Sequence, residues 1–148
     1  MASFQVLEHV SAPAEFLRDQ LKALKSGGKL IIAVPSADTF LQHAVNNVFN
    51  MPPHHLTHWP DETLHYIAKQ YDLTLHDVYH EPVQPIHFNW CLETRLLARV
   101  FKPNLLDTNM LRTALRKILR GLFKIMFACT PFKCHGRGHT VLAVYTKR

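Results

Sequence analysis

One short apolar segment constrains the fold more than any other part of this 148-residue sequence. Two glycines, Gly27 and Gly28, precede the run Lys29–Pro35, which is rich in β-branched residues and does not alternate with polar ones. Such a run predicts a strand that is buried on both faces, as in a parallel sheet covered by helices. Pro35 cannot donate a ladder hydrogen bond, so it marks the carboxyl end of this strand.

The sequence around this strand predicts one α/β domain. Apolar residues at helical spacing predict three helices, and alternating apolar residues predict two further strands. Glu81–Trp90 is interrupted by prolines and is expected to be irregular. This order of elements predicts flanking helices on a mostly parallel sheet. The predicted helices cover Ser11–Leu24, Asp38–Asn50 and Trp59–Tyr71, and the predicted strands cover Leu73–Val78 and His139–Thr146.

The longest helical pattern, Leu105–Phe127, is basic and amphipathic and precedes the last strand. Residues 75–148 carry 12 Lys/Arg against 4 Asp/Glu, a net +8, whereas residues 1–74 carry 5 against 7, a net −2. Three interpretations remain open for this helix. Its apolar stripe packs on the sheet while its cations are solvated, or it lies on a membrane surface or over a lipid-like substrate. Nucleic-acid binding is not expected, because no aromatic-interleaved basic strand accompanies the cations.

Several protein classes are not expected. The apolar runs Leu30–Val34 and Leu122–Ala128 fall well short of the about 20 residues that a membrane-spanning helix needs. The segment Met1–Gln5 lacks the features of a secretory signal, so a cytoplasmic location is predicted, with peripheral membrane contact through the basic helix. The three cysteines are therefore interpreted as reduced thiols: Cys91, Cys129 and Cys134.

Two motifs resemble class I S-adenosylmethionine-dependent methyltransferases of the small-molecule branch. Phe4–Val10 is similar to a "vLEHv" turn of that branch, and Leu24–Pro35 is similar to its "LkpGGkLiisvP" segment. Pro53–Trp59 resembles a later stretch, and Gly138–Lys147 resembles the last strand. The resemblance implies the C-terminal part of a Rossmann-like methyltransferase fold. Residues 1–80 are its core, 81–138 an irregular stretch with the basic helix, and 139–147 its last strand.

The sequence departs from this family at the cofactor loop. These enzymes hold S-adenosylmethionine on a glycine-rich loop at a helix N-terminus, where the backbone approaches the ligand closely. None of the five glycines follows a strand and opens a helix. We therefore expect a truncated form, whose first three strands and most of the fourth precede Met1 and which binds the cofactor poorly alone. The implied function is methyl transfer to a small, amphiphilic molecule. The alternative is a non-catalytic remnant that acts as an interaction or membrane-surface module through the basic helix.

The predicted site lies at the carboxyl ends of two strands. In open α/β sheets ligands bind beyond this edge, so the turn Gln5–His9 and the pair Pro35–Ser36 are expected to share one crevice. The resemblance implies that Gln5 and Glu8 contact the cofactor and that His9 is the catalytic base, because imidazole titrates near neutrality. The alternative interpretation is a turn in which Glu8 and His9 only satisfy backbone groups.

Histidines beyond the second strand complete the predicted site. By resemblance, His54 and His55 lie on a loop over the substrate pocket and, with Pro35 and Ser36, are assigned to substrate binding. A metal is not expected at His54, His55 and His58, since no carboxylate or cysteine lies at ligand spacing. The cluster Cys129, Cys134, His135 and His139 is not expected to bind one either. The expected partners are a small-molecule substrate and a second copy of the chain, paired through an exposed sheet edge.

Overall fold

The described part of the computed structural model, residues 1–101, 106–129 and 133–148, contains four strands and four helices of more than one turn. Four short 3-10 turns lie between them. The strands are β1 (Ala2–Phe4), β2 (Lys29–Pro35), β3 (Leu73–Pro82) and β4 (Arg137–Lys147). The helices are α1 (Pro13–Ala23), α2 (Asp61–Gln70), α3 (Phe88–Val100) and α4 (Met110–Cys129). The predicted α/β class is confirmed.

The four strands form one mixed sheet in the order β1-β2-β4-β3. The pair β1–β2 is parallel, whereas β4 runs antiparallel to both of its neighbours. The prediction of a mostly parallel sheet is therefore wrong, because two of the three strand pairs are antiparallel. Nothing in the local pattern of the last strand determines its direction, and the fold inserts it, reversed, between β2 and β3.

The main core lies between one face of the sheet and the helices α1 and α2. Leu30, Ile32 and Val34 of β2 are fully buried there. On the opposite face, Ala33 and Pro35 are also buried, whereas Ile31 is only half-buried. The prediction that β2 is buried on both faces is thus correct except at the start of the strand. The helices contribute Leu17, Leu21, Leu64 and Ile67 to this core, and β4 contributes Val141, Ala143 and Tyr145.

The predicted helix Asp38–Asn50 is wrong. The segment forms two 3-10 turns, Phe40–His43 and Val48–Asn50, joined by a turn at Val45 and Asn46. Asn46 adopts a positive φ of 53°, and the Asn47 side chain accepts a hydrogen bond from the Phe49 amide at 3.3 Å. Asparagine side chains compete in this way with helical backbone bonds, which explains the break.

The prediction that Glu81–Trp90 is irregular is also wrong. The strand β3 continues to Pro82, and α3 begins at Phe88 after a 3-10 turn at Pro85–His87. A second core cluster forms where α3 meets the turn Phe40–His43, with the Phe40 and Trp90 rings 4.9 Å apart. Proline residues thus delimit these elements without preventing them.

Two of the three cysteines contradict the expectation of reduced thiols. Cys91 of α3 and Cys134, in the segment before β4, form a disulfide with their Cα atoms 6.4 Å apart. Both residues are buried in the second core cluster. Cys134 therefore forms a structural cross-link, which joins α3 to the segment before the last strand.

The basic helix α4 does not pack as the first interpretation expected, with its apolar stripe on the sheet and its cations in solvent. Arg116 is buried and forms an ion pair with Asp107 at 3.3 Å, and Arg120 pairs with Glu93 at 2.6 Å. The apolar stripe faces outward, since Leu111, Ile118 and Ile125 are 83%, 60% and 68% exposed. Leu105, the predicted first residue, lies outside the described residues. No helix in the described ranges combines the length and apolarity needed to cross a membrane.

The short strand β1 lies at one edge of the sheet and β3 at the other. An unpaired edge offers backbone donors and acceptors to another chain. Self-association through such an edge stays a prediction.

Candidate functional site

The site begins where β1 ends. Gln5 adopts a positive φ of 52° and donates its backbone N–H to the Ala33 carbonyl at 2.8 Å, which turns the chain out of the sheet. The 3-10 turn Leu7–His9 follows. Leu7 is fully buried in the main core and so anchors the turn. This anchoring places Glu8 inside the molecule and His9 at its surface.

Glu8 is the unusual residue of this turn. Its side chain is 1% exposed, and neither carboxylate oxygen has a hydrogen-bond partner among the described residues. Its neighbour is the His9 imidazole, whose Nε2 lies 3.8 Å from Oε1, too far for a hydrogen bond. Burial raises the pKa of the Glu8 carboxyl, because it disfavours the charged form, and the residue's own backbone N–H and the His9 imidazole oppose this only in part.

The segment after Met51 folds back onto this turn. The Leu56 amide donates to the Glu8 carbonyl at 2.7 Å, and the Thr57 hydroxyl donates to the Leu7 carbonyl at 3.3 Å. These bonds bring His55 against the turn. One possible ligand atom from each of Glu8, His9 and His55 lies within 4.8 Å of the others. We call these three residues the Glu8 cluster.

Both histidines of the Glu8 cluster are oriented through Nδ1. His9 Nδ1 hydrogen-bonds the backbone carbonyl of His54, and His55 Nδ1 lies 3.1 Å from Oδ1 of the buried Asn50. Burial and the neighbouring histidines, His9 first among them, lower the pKa of His55. Neutral His55 is therefore favoured, with Nε2 as its free nitrogen.

A pocket of about 180 Å³ lies next to the Glu8 cluster, at the carboxyl end of β2. Pro35, Ser36 and His55 contribute to its wall, so His55 belongs both to this pocket and to the Glu8 cluster. Ser36 is fully buried, and its Oγ accepts a hydrogen bond from the Asp38 amide at 3.4 Å. This bond uses Ser36 Oγ only as an acceptor, so its hydroxyl hydrogen remains available as a donor.

A second, wider pocket of about 430 Å³ shares Asn50 and His55 with the first. Its far side is formed by His87, Trp90 and His139, which the sequence patterns did not assign to the site. Burial and the nearby His87 lower the pKa of His139, while Glu81 opposes them. No local motif marks these residues; only the unexpected helix α3 and the reversed strand β4 bring them to this edge.

The structure does not bring all of the predicted site residues together. His54 is exposed, and its ring contacts Phe49 rather than the Glu8 cluster. Gln5 is exposed and donates from Nε2 to Thr140 Oγ1 at 3.5 Å; since Thr140 is the cross-strand partner of Pro35, Gln5 lies at the same edge of the sheet but is not part of the Glu8 cluster. The remaining predicted residues meet at one edge of the sheet: Glu8, His9, Pro35, Ser36 and His55.

The glycines do not fit an S-adenosylmethionine loop. Gly27 and Gly28 form the turn before β2, and Gly121 lies within α4. Gly136 and Gly138 lead into β4, where a Cβ at Gly138 would meet the Pro82 carbonyl. None of them is at a helix N-terminus behind a parallel strand, which is where a dinucleotide-type pyrophosphate or nucleoside is held.

The solved structures that are similar to this chain include one from a bacterium. It is a cyclopropane-fatty-acyl-phospholipid synthase-like protein from Lactobacillus casei, at 16% identity and a TM-score of 0.45. The match covers 98% of this chain but 54% of that protein, so the chain spans about half of its length. No curated protein sequence matches the chain.

A family match covers the strands and turns that build the site. The family described as a methyltransferase domain matches residues 1–78, which include β1, the Glu8 cluster, β2 and α2. This is more than half of the chain. The resemblance to class I S-adenosylmethionine-dependent methyltransferases is therefore confirmed, and the chain belongs to the methyltransferase domain family.

Proposed function

We propose that this chain forms the acceptor side of an S-adenosylmethionine-dependent methyltransferase that acts on a small, amphiphilic molecule. The observation that carries the proposal is the Glu8 cluster, which lies at the carboxyl edge of β1 and β2 within the methyltransferase-family residues. Ligands of open α/β sheets bind beyond this edge. S-adenosylmethionine, when bound, supplies the methyl group.

His9 is suited to accept a proton from the acceptor. A backbone carbonyl can only accept, so the bond between His9 Nδ1 and the His54 carbonyl fixes the proton on Nδ1. The free nitrogen of the neutral ring is then Nε2, which lies on the side of Glu8. We propose that Nε2 is the catalytic base and that Glu8 stabilises the imidazolium that results.

The first pocket suits a small substrate with both apolar and polar parts. Pro35 and Leu41 provide apolar wall, while Gln42 and Asn50 provide amide groups. Pockets of this kind bind the ligand body through apolar contacts and orient it through a few polar groups. We assign Pro35, Ser36 and His55 to substrate binding. Gln5 and His54, which are exposed, are assigned to the rim of the substrate site.

The cofactor-binding half of such a site needs a loop that the glycines of this chain do not supply. We therefore propose that the chain alone binds S-adenosylmethionine weakly, through the Gln5–Glu8 turn. In this proposal it is the C-terminal part of a larger methyltransferase fold, whose remaining part would supply most of the contacts with the cofactor.

The proposal is tested with the full chain, about 1 mM methyl-tritiated S-adenosylmethionine (the upper end of usual KM values) and a chloroform–methanol cell extract as acceptor source. Label is expected to pass into small molecules faster than with heat-inactivated protein. His9→Asn is expected to lower the rate by about 100-fold or more, as loss of a general base does. The matched control His65→Asn removes an exposed imidazole of α2 and is expected to have little effect.

Two outcomes would overturn this proposal. Absence of label transfer by the wild-type chain under these conditions would favour the non-catalytic remnant. Equal rates for His9→Asn and wild type would remove His9 from the chemistry. Circular dichroism of each variant separates these outcomes from a loss of folding.

One observation favours a second function, contact with an anionic membrane surface. The outward stripe of α4 carries large apolar side chains, and Arg112, Lys117 and Lys124 on the same helix are exposed. Interfacial helices combine such an apolar face with cations that attract anionic lipids. We propose that α4 attaches the chain peripherally to such a surface, which would also bring a lipid-like substrate near the site.

Vesicle flotation tests the role of α4. The chain is expected to float with vesicles that contain phosphatidylserine as well as phosphatidylcholine and to stay behind with pure phosphatidylcholine. Leu122→Ser and Lys124→Glu are each expected to weaken flotation, whereas Leu56→Ser, an exposed leucine elsewhere, is not. Failure to float with the anionic vesicles, or equal flotation of Leu122→Ser and wild type, would refute this function.

A further inference from the structure

Three side chains of metal-ligating type converge at the site without an obvious structural reason. Their possible ligand atoms lie within 4.8 Å of one another, although Glu8 and His55 are far apart in sequence. We propose that Glu8, His9 and His55 bind a divalent transition-metal ion, with Zn²⁺ as the first probe.

The donor set suits such an ion. Imidazole nitrogens bind Zn, Cu, Fe and Ni, and a single carboxylate joins two imidazoles in many catalytic metal sites. Mg²⁺ and Ca²⁺, by contrast, prefer oxygen donors throughout. Three protein ligands leave at least one coordination position open for water or substrate, which is the pattern of a catalytic site rather than a structural one.

Both imidazoles are already oriented as metal ligands usually are. A ligating histidine donates its other ring N–H to a carbonyl or carboxylate, which holds the ring and keeps the ligating nitrogen unprotonated. His9 Nδ1 does this with the His54 carbonyl, and His55 Nδ1 does it with Asn50 Oδ1. In both rings Nε2 is then free for the ion.

Glu8 provides the independent indication of a ligand. A carboxylate that is 1% exposed and lacks a hydrogen-bond partner among the described residues is costly in its charged form. Buried charges in proteins are generally paired or coordinate a metal. The His9 ring lies 3.8 Å from this carboxylate, so a bound divalent cation would satisfy Glu8 far better.

The three ligand atoms would have to move closer together to hold one ion. Ligands at about 2.0–2.2 Å from one zinc ion lie roughly 3–3.5 Å from each other. The Glu8–His9 pair, at 3.8 Å, is already close to this separation. The His9 side chain is 48% exposed and so has room to rotate, and the wider separations in the cluster, up to 4.8 Å, would require His55 to approach as well.

Spacing along the chain did not indicate this metal site. The histidines after Pro53 have no carboxylate or cysteine at ligand spacing in the sequence. The fold supplies a carboxylate, because Leu56 and Thr57 bind the backbone of the turn around Glu8 and so bring His55 to Glu8.

The ion's binding does not depend on methyl transfer; only its role rests on the proposed function. Within that function the ion would hold the oxygen of a hydroxyl acceptor and lower its pKa, as bound zinc does for water. His9 Nε2 is the base in the metal-free chain; in the metal-bound form it would be a ligand, and the proton of the hydroxyl acceptor would pass to bulk water. Metal binding is therefore measured without S-adenosylmethionine, and label transfer is measured with and without chelator.

The test is titration calorimetry of chelator-stripped full chain with Zn²⁺, and absorption spectroscopy with Co²⁺ as a second probe. We expect saturable binding of one ion per chain and a rise in Tm with Zn²⁺. Glu8→Gln and His55→Asn are each expected to weaken binding at least tenfold, because loss of even an outer-shell partner costs about 10–100-fold.

His54→Asn is the matched control, since it removes an adjacent histidine that is outside the cluster. It is expected to leave the affinity within about twofold. No binding by the wild-type chain at about 100 μM Zn²⁺, or equal weakening by His54→Asn and His55→Asn, would overturn the site. If Glu8→Gln does not fold, the Zn²⁺ affinities of His54→Asn and His55→Asn are sufficient to test the site.

Discussion

The sheet with α1 and α2 differs from the α3–α4 segment in what it buries. In the sheet region, apolar side chains of β2, β4 and both helices form one continuous core. In α4 the polar face turns inward, where Arg116 and Arg120 form ion pairs, and the apolar stripe faces outward. One amphipathic pattern is thus compatible with two opposite orientations, and the surface that it packs against decides between them.

The largest effect is expected from a matched pair of isoleucines. Ile32 is fully buried in β2, whereas Ile118 of α4 is 60% exposed. Ile32→Ala is expected to lower the free energy of unfolding by about 2–5 kcal/mol, because it leaves a cavity. Ile118→Ala should change it by less than about 0.5 kcal/mol. Urea denaturation measures both, and equal losses would show that the α4 stripe is packed in solution.

The next effect concerns the disulfide Cys91–Cys134, which ties α3 to the segment before β4. Cys91→Ser is expected to cost about 2–4 kcal/mol, because the cross-link restricts the unfolded chain. Hydrogen exchange should show that α3 loses protection before β2 does. Uniform loss of protection would mean that the two regions unfold as one unit.

A smaller effect is expected at the ion pair that holds α4. Arg116→Ala removes the partner of Asp107 and the contact with the Phe101 ring, 4.8 Å from the guanidinium carbon. We expect a loss of about 1.5–3 kcal/mol, because the buried Asp107 carboxylate is left without its ion-pair partner. Arg112→Ala, on the exposed side of the same helix, is the control and should be nearly neutral. Similar losses for the two variants would argue against an inward polar face.

The smallest effect is expected from one hydroxyl in the sheet core. Tyr145 is fully buried and donates its hydroxyl to the Leu64 carbonyl at 2.8 Å. Tyr145→Phe is expected to cost about 0.5–1.5 kcal/mol at neutral pH, measured by urea denaturation. Tyr66→Phe, which removes an exposed hydroxyl, is the control. A larger loss for Tyr66→Phe than for Tyr145→Phe would contradict this description of the core.

The same residue predicts a pH dependence. Burial raises the pKa of Tyr145 well above its ordinary value. The unfolded chain then loses its Tyr145 proton at about pH 10 while the folded chain keeps it, so stability falls as the pH rises above about 10. Tyr145→Phe should therefore lose less stability than wild type between about pH 9 and about pH 11. Parallel stability curves for the two proteins would refute the shift.

Much of the sheet region could be predicted from local pattern. The glycine pair and the β-branched run predict β2, and helical spacing predicts α1 and α2 to within a few residues. Their patterns are strong because one face of each element is buried in the same core. The turn at Glu8 and His9 was also placed at the correct edge, since the carboxyl ends of adjacent parallel strands share it.

The remainder depends on contacts between distant segments. Asn47 caps a 3-10 turn where a helix was expected, and α3 forms beyond prolines because its Cys91 face packs on Phe40. His139 reaches the second pocket only because β4 runs antiparallel to β2. None of these pairings leaves a signal within a short window of sequence.

Local patterns in the amino-acid sequence were enough to establish the α/β class, the central strand and the family, since hydrophobic periodicity and short turn motifs are local properties. The direction of the last strand, the inward arginines of α4 and the meeting of Glu8 with His55 emerged only from the tertiary structure. These depend on which surfaces compete for burial and on which backbone groups a distant loop can satisfy. Such competition is settled only when the whole chain is packed.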